Sequence, residues 1–357
     1  MPTIAVLGTF DTKGVEHAFV AEHISHCGNK ALLIDVGTAA APTITPDVTR
    51  SEVLRHAGSS VELPADRGAA MQIMSEAAPP FVAQLQRDGR IDGIISLGGS
   101  GGTALGTAVM RALPLGFPKV MVSTVASGNV AAYVGDKDIV MMPSIVDIAG
   151  LNSVSRGVYC RAAAAVSAMV DADHKMRQRR HATSGQKPSD GSAATSPLIV
   201  ASMFGNTTRC VETARGILES AGYELLVFHA TGSGGRTMES LIESGMVSGV
   251  LDITTTEWAD ELVGGILGAG PKRLEAAALR GVPAVVCPGC LDMVNFGTME
   301  SVPERFKAAN RRFYKHNPQV TLMRTTAEEC AELGRILADK INLSTGLKRR
   351  DMRSGFE

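Results

Sequence analysis

A run of glycines, I-I-S-L-G-G-S-G-G-T-A-L-G from Ile94 to Gly106, follows an apolar stretch and leads into a helix-like one. Glycine has no Cβ to hold a ligand off the backbone, and a helix opening there presents unpaired N–H groups and a positive dipole end. Gly98, Gly99, Ser100, Gly101, Gly102 and Thr103 are therefore expected to cradle phosphate oxygens. Other short stretches carry what else a nucleotide needs. Thr9, Phe10, Asp11, Thr12 and Lys13 offer an ammonium for phosphate and a carboxylate for magnesium. Asp35 offers a carboxylate for a ribose hydroxyl, and Ser127, Gly128 and Asn129 close the set.

The residues Gly99 to Ala104 fit G-x-G-x-x-G/A, a weak pattern by itself. The loop is not in the first βα turn, and the next strand ends in Ser123-Thr124 where a dinucleotide site would place an acid, so an NAD-dependent dehydrogenase is disfavoured. No G-K-[ST] follows, which excludes a Walker loop. The competing reading is a glycine corner at a helix start.

A second set lies in the other half: H-A-T-G-S-G-G-R-T (His229 to Thr237), D-I-T-T-T-E-W-A-D (Asp252 to Asp260) and C-P-G-C-L-D-M-V-N-F-G (Cys287 to Gly297). Arg236 at a helix start suits a carboxylate or phosphate, and His229, Glu257 and Asp292 are candidates for acid, base or metal ligand. The alternatives are a hydrogen-bonded structural histidine and a first-turn acid favoured by the helix dipole. Cys287 and Cys290 have redox or zinc spacing, but there is no second C-x-x-C, so the stretch reads as a turn that delivers Asp292 and Asn295. The six cysteines read as reduced thiols.

The elements that must position these loops are legible as continuous aliphatic runs alternating with helical spacing. Thr3 to Gly8, Lys30 to Val36 and runs ending at Leu97, Ser123 and Met142 are strands, with a helix over Val15 to His26. The second half repeats the plan with Leu198 to Ser202, a helix near Cys210 to Ser220, Glu224 to Phe228, Val247 to Ile253 and Pro283 to Cys287. An offset of 194 superposes Val6 on Val200, Phe10 on Phe204, Gly28 on Gly222 and Leu32 on Leu226, which suggests duplication. The fold class is α/β, with two Rossmann-like doubly wound domains, mainly parallel, facing across a cleft where the four candidates of the second half gather. Expected boundaries are 1–180 for the first domain, 181–196 for a flexible linker rich in Ser, Gly and Pro, 197–345 for the second domain and 346–357 for a tail.

With 357 residues, 45% hydrophobic and 20% charged, and a net charge of −1, the chain gives no electrostatic argument for nucleic acid or a membrane surface. Met1-Pro2-Thr3-Ile4 has no basic region followed by an apolar core, and a cytoplasmic location is expected.

T-F-D-T-K-G, G-G-S-G-G-T, H-A-T-G-S-G-G and G-C-L-D-M-V-N-F-G together resemble an uncharacterised bacterial, fungal and plant family that includes the ATP-binding N-terminal region of the plant tobamovirus-resistance protein. The resemblance spans nearly the whole chain. It implies two Rossmann-like domains, ATP in the first with Mg2+ expected beside it, and a homodimer. It names no reaction. The expectation is an ATP-binding protein with a second small-ligand site, acting as an ATP-dependent enzyme on a small carboxylate or as a non-catalytic, nucleotide-gated interaction module.

Overall fold

The structure, a computed structural model, describes residues 1–58, 62–183 and 196–353. The chain divides into two compact units, residues 1–189 and 190–357. The linker expected over 181–196 lies almost wholly outside the described residues.

The first unit runs β1 (Thr3–Gly8), α1 (Phe10–His26), β2 (Lys30–Asp35), α2 (Arg50–His56), α3 (Arg67–Arg87), β3 (Gly93–Gly98), α4 (Ser100–Arg111), β4 (Lys119–Ser123), α5 (Ala131–Val134), β5 (Val140–Pro143) and α6 (Ser153–Thr183). The strands pair in parallel in the order β2-β1-β3-β4-β5. Successive side chains of a strand point to opposite faces, so a strand buried on both faces must be apolar throughout. In β1, Ala5 and Leu7 pack with α3 and α4 residues such as Met74, Val82 and Val109. Ile4 and Val6 pack on the other face with Val20 and Ile24 of α1 and Val158, Ala162 and Val166 of α6.

The second unit runs β6 (Leu198–Met203), α7 (Thr208–Ser220), β7 (Glu224–His229), α8 (Ser233–Glu243), β8 (Gly249–Asp252), α9 (Glu257–Val263), α10 (Ala276–Arg280), β9 (Ala284–Val286), β10 (Met293–Phe296), α11 (Glu304–Ala308), β11 (Phe313–Asn317), β12 (Val320–Arg324) and α12 (Ala327–Arg353). Its parallel sheet has the order β7-β6-β8-β9, repeating the start of the first unit's order. Gly28 and Gly222, matched by the offset of 194, share a φ of 85° and 87° just past the ends of α1 and α7. That left-handed conformation is cheap only for glycine and closes both helices alike.

Three features depart from the sequence reading. Residues 181–183 continue α6 instead of opening the linker, and α12 runs through Arg353 across the expected tail. Both stretches extend a helix already nucleated on a core. The antiparallel sheet β10-β12-β11 was not anticipated, because Phe313–Asn317 is polar on its exposed side and no helix separates it from β12.

Candidate functional site

From β1 the chain turns one way to β2, and from β3 it turns the other way to β4, while β1 and β3 are themselves paired. The carboxyl ends of two such strands open a crevice at the point where the strand order reverses. The stretch Gly8–Lys13 leaves β1 there, and Gly98–Thr103 leaves β3. Only Gly99 stands between β3 and α4, with φ −71° and ψ −163°, and no side chain caps the helix. The N–H of Thr103 closes the first turn on Gly99 O at 2.7 Å. The N–H groups of Ser100, Gly101 and Gly102 precede that turn and have no intrahelical acceptor. Thr103 itself is fully buried, donates to Gly98 O at 3.2 Å and lies 2.6 Å from Ser123 Oγ. Its hydroxyl locks the helix start to the ends of β3 and β4.

The glycines of this loop divide by what a side chain would meet. A Cβ on Gly98 would stand 2.6 Å from the Gly102 carbonyl carbon, so Gly98 is required for α4 to sit against β3. On Gly99, Gly101 and Gly102 the nearest atoms would be Thr124 Oγ1 at 3.8 Å, Met71 Cε at 3.9 Å and Leu97 O at 3.7 Å, which is ordinary contact. None of the three has a positive φ. Neither packing nor backbone conformation explains them, although each glycine inside a helix is about 1 kcal/mol less favourable than alanine.

The first loop divides in the same way. Phe10 is fully buried, and its N–H donates to Asp35 Oδ1 at 3.1 Å, with the Gly37 N–H on the same oxygen at 2.9 Å. Asp35 is buried, and burial raises its carboxyl pKa. These two residues shape the loop from beneath, with Asp35 engaged through Oδ1. Lys13 has the non-helical pair φ −134°, ψ 29°, and its ammonium donates to Ile148 O, so it ties α1 to the chain after β5. Asp11 accepts the Ala39 N–H on Oδ2 at 2.8 Å, while its buried Oδ1 has no partner. Thr9 and Thr12 bring their hydroxyls within 3.1 Å of each other at the surface of this edge. Ser127, Gly128 and Asn129 are exposed after β4, and Asn129 Oδ1 accepts the Ala131 N–H at 3.0 Å.

In the second unit the glycine loop Gly232–Gly235 also opens a helix, α8, and here the space is filled. Glu257 Oε1 accepts from Gly232 N–H at 2.7 Å and Gly235 N–H at 3.0 Å, and Oε2 accepts from Arg273 Nε at 2.7 Å. Arg273 is enclosed and also binds Asp252, at 2.7 Å through Nη2, and Glu239, at 2.9 Å through Nη1. The three carboxylates hold the guanidinium protonated despite its burial, whereas burial raises the pKa of Glu239. Sequence reasoning missed Arg273, which lies in G-P-K-R-L without apolar periodicity. The signal was indirect: three acids on sheet-facing positions require a cation.

The other candidates are dispersed. Arg236 is exposed and donates to Gly268 O at 3.0 Å. His229 is exposed at the end of β7, its ring 5.2 Å from that of Phe204. Asp292 pairs with Arg324 at 2.9 Å, both half exposed, on the antiparallel sheet. Backbone proximity links the His229, Arg236 and Glu257 loops: a Cβ on Gly234 would fall 1.8 Å from His229 O, and one on Gly235 2.1 Å from Glu257 Oε2. The loop that carries Asp292 joins the Glu257 loop as well, Thr255 N–H donating to Gly289 O at 3.1 Å and Asn295 Nδ2 to Asp260 Oδ2 at 2.7 Å, while the Asp292 side chain itself pairs with Arg324. Cys287 and Cys290 are free thiols, and Cys290 takes the positive φ of 59° that the turn demands.

A profile described as the N-terminal domain of an uncharacterised protein family, UPF0261, matches residues 2–175, and its C-terminal counterpart matches residues 196–349. The chain belongs to the UPF0261 family. A UPF0261 protein of Clostridium tetani is 50% identical over 95% of this chain and 80% of its own length. The ToMV resistance protein Tm-1(GCR237) of Solanum lycopersicum is 38% identical over 96% of this chain, which spans 46% of that longer protein. Among solved structures, a UDP-N-acetylglucosamine 2-epimerase from Rickettsia bellii aligns over 80% of this chain and 78% of its own, at 11% identity and a TM-score of 0.26. Among the described residues of this UPF0261 member, no helix is long and apolar enough to cross a membrane.

Proposed function

We propose that this UPF0261 protein binds ATP at the β1/β3 crevice of its first unit, with the phosphates on the N–H groups of Ser100, Gly101 and Gly102. The observation that carries the reading is the contrast between two glycine helix starts in one chain. At α8 the missing side chains make room for a carboxylate, Glu257. At α4 the N-cap residue gives no side-chain cap, and among the described residues no atom beyond the helix comes closer than 3.7 Å to a Cβ placed on Gly99, Gly101 or Gly102. An anion is what such an opening holds, and here it comes from outside. Asp11 fits a magnesium ion accompanying the phosphates, because its Oδ1 is a carboxylate oxygen without a hydrogen-bond partner among the described residues. Magnesium supplies charge neutralisation of the phosphates when bound. The motif resemblance points to the same nucleotide.

The nucleotide-gated module is the form of the proposal that the second unit favours. The carboxylate best placed for acid–base work at its glycine loop, Glu257, is fixed by three donors as a structural anion. Isothermal calorimetry with ATP and Mg2+ tests the reading. The wild type should saturate one site per chain without turnover, and Gly102→Val, whose Cβ meets no atom beyond its own helix closer than 3.7 Å, should fold and bind nothing. Unchanged affinity in the folded variant overturns the phosphate site, and steady release of ADP overturns the non-catalytic reading.

A further inference from the structure

The antiparallel sheet of the second unit carries a cationic groove that neither glycine loop uses. Arg324 N–H donates to Arg312 O at 2.9 Å, and Phe313 is registered with Met323, so Arg312 lies directly across from Arg324. On the other side of β12, Met293 is registered with Arg324. Met293, Arg324 and Arg312 therefore form one row across the three strands. Val294, Phe296, Phe313 and Met323 are in the core cluster of this sheet, and by strand alternation the row faces away from it.

Like charges directly opposite on a sheet are destabilising, and this pair is only partly compensated. Asp292 takes one guanidinium, that of Arg324. Arg311, at the rim, is held by both oxygens of Glu329 at 2.8 and 2.6 Å. The Arg312 guanidinium has no hydrogen bond or ion pair among the described residues, its backbone carbonyl alone being engaged, by Arg324 N–H. A cavity of about 260 Å³ lies along the row, against Met293, Phe313 and Tyr314. Another of about 330 Å³ lies against Arg311 and Thr326, and Arg312 and Arg324 line both.

We propose that this groove binds a small organic phosphate, its phosphoryl group between Arg312 and Arg324 and its apolar or aromatic body against Tyr314 and Met293. A guanidinium presents a planar fork that matches phosphate oxygens, and such charge-assisted pairs are about twice as strong as neutral hydrogen bonds. A phosphate monoester carries a charge between about −1.5 and −2 near neutral pH, enough for the unpaired Arg312 and the shared Arg324 together. Asp292 takes one donor of Arg324 and leaves the rest of its fork free, so the two forks offer more donors than the two oxygens of a carboxylate can take, whereas a phosphate brings three.

The test is a titration of phenyl phosphate into the full chain at fixed ionic strength, in a Gly102→Val background so that the nucleotide site of the first unit does not contribute. Binding is expected to fall at least tenfold in Arg312→Ala and in Arg324→Ala. Tyr314→Ala should weaken phenyl phosphate several-fold and leave inorganic phosphate unchanged, and benzoate should bind at least tenfold more weakly than phenyl phosphate. Arg335→Ala, an exposed arginine on α12 paired with Glu332, is the control for general surface charge. Unchanged affinity in Arg312→Ala overturns the proposal, as does an equal loss in Arg335→Ala. A single-stranded RNA that binds more tightly with length and loses that affinity in Arg312→Ala overturns it in favour of a polyanion surface. Circular dichroism confirms folding, and both groove arginines are solvent-exposed, so their removal leaves the core intact.

Discussion

Glu257 stands where a Cβ on Gly235 would be, 2.1 Å from its Oε2, so the glycine and the carboxylate are one device. The α8 N-terminus receives its counter-ion from within the chain, whereas the α4 N-terminus leaves that place open. The same sequence idiom, small residues at the start of a helix after a parallel strand, therefore has two physical meanings here, and they are separable by substitution.

Gly101→Ala and Gly98→Ala should change stability in opposite directions. An alanine at Gly101 touches nothing closer than 3.9 Å and removes a residue that disfavours helix, so unfolding should become harder by up to about 1 kcal/mol while ATP affinity falls. An alanine at Gly98 collides with the Gly102 backbone at 2.6 Å and should cost about 1–3 kcal/mol, as overpacking does. Melting curves of the two variants with and without ATP decide it. A destabilised Gly101→Ala would mean that the glycine serves the fold.

Arg273→Met should be strongly destabilising, because it leaves Asp252, Glu239 and Glu257 facing one another without a cation. Breaking a buried pair in this way costs about 3–5 kcal/mol. The deficit has a pH signature. Carboxyls stranded in the variant have raised pKa values, and such a group is least harmful when protonated, so the gap from wild type should narrow towards pH 4 and widen towards neutrality. Urea unfolding at several pH values measures the gap, and one that is constant with pH would show that the carboxylates find other partners.

The sheets were legible because both faces of β1, β3 and β4 are buried, which forces runs such as I-A-V-L and I-I-S-L. The strand ends and their loops followed from those runs. Burial at the loops was not legible. Phe10 and Asp35 look like ligand-contacting residues in a chemical motif, but the loop they belong to curls over them, and the Phe10 N–H needs the Asp35 carboxylate as its acceptor. Lys13 looks like a phosphate ligand, yet its partner Ile148 lies 135 residues away. Arg273 and the Arg312–Arg324 row depend on cross-strand register and on side chains from separate elements, which no local spacing encodes.

His17 should make the first unit acid-sensitive. It is fully buried, and its Nδ1 lies 2.7 Å from Lys13 O, which can only accept, so the neutral ring carries its proton there. Nε2 has no hydrogen-bond partner among the described residues, and burial lowers the pKa from 6.5 to about 4. A base with a depressed folded pKa contributes stability that is present above the unfolded value and lost as pH falls from about 6.5 to about 4, on the order of 3 kcal/mol in all. His17→Asn, which keeps a donor near the Nδ1 position, should flatten that window in urea unfolding. A His17 resonance titrating near 6.5 by NMR would refute the burial argument.

Asp260 should act in the opposite direction in the second unit. Its carboxylate is buried and accepts from Asn295 N–H at 2.9 Å and from Asn295 Nδ2 at 2.7 Å. Burial outweighs these bonds and raises its pKa from 3.8 to about 6. An acid whose folded pKa is raised stabilises the fold fully below its unfolded value, and that contribution is lost as pH rises through about 6, amounting to about 3 kcal/mol at most. Trp258, the only tryptophan of the chain, is buried two residues away, so its fluorescence reports this unit directly. The midpoint of urea unfolding followed at Trp258 should therefore fall between pH 4 and pH 7 in the wild type. The fall should be smaller in Asp260→Asn, whose uncharged amide bears no such penalty, keeps its oxygen on the Asn295 N–H and donates to the Asn295 side-chain oxygen after rotation of the Asn295 amide. Parallel pH profiles for the two proteins would show that Asp260 keeps an ordinary carboxylate pKa in the fold, and would remove burial as the dominant influence on it.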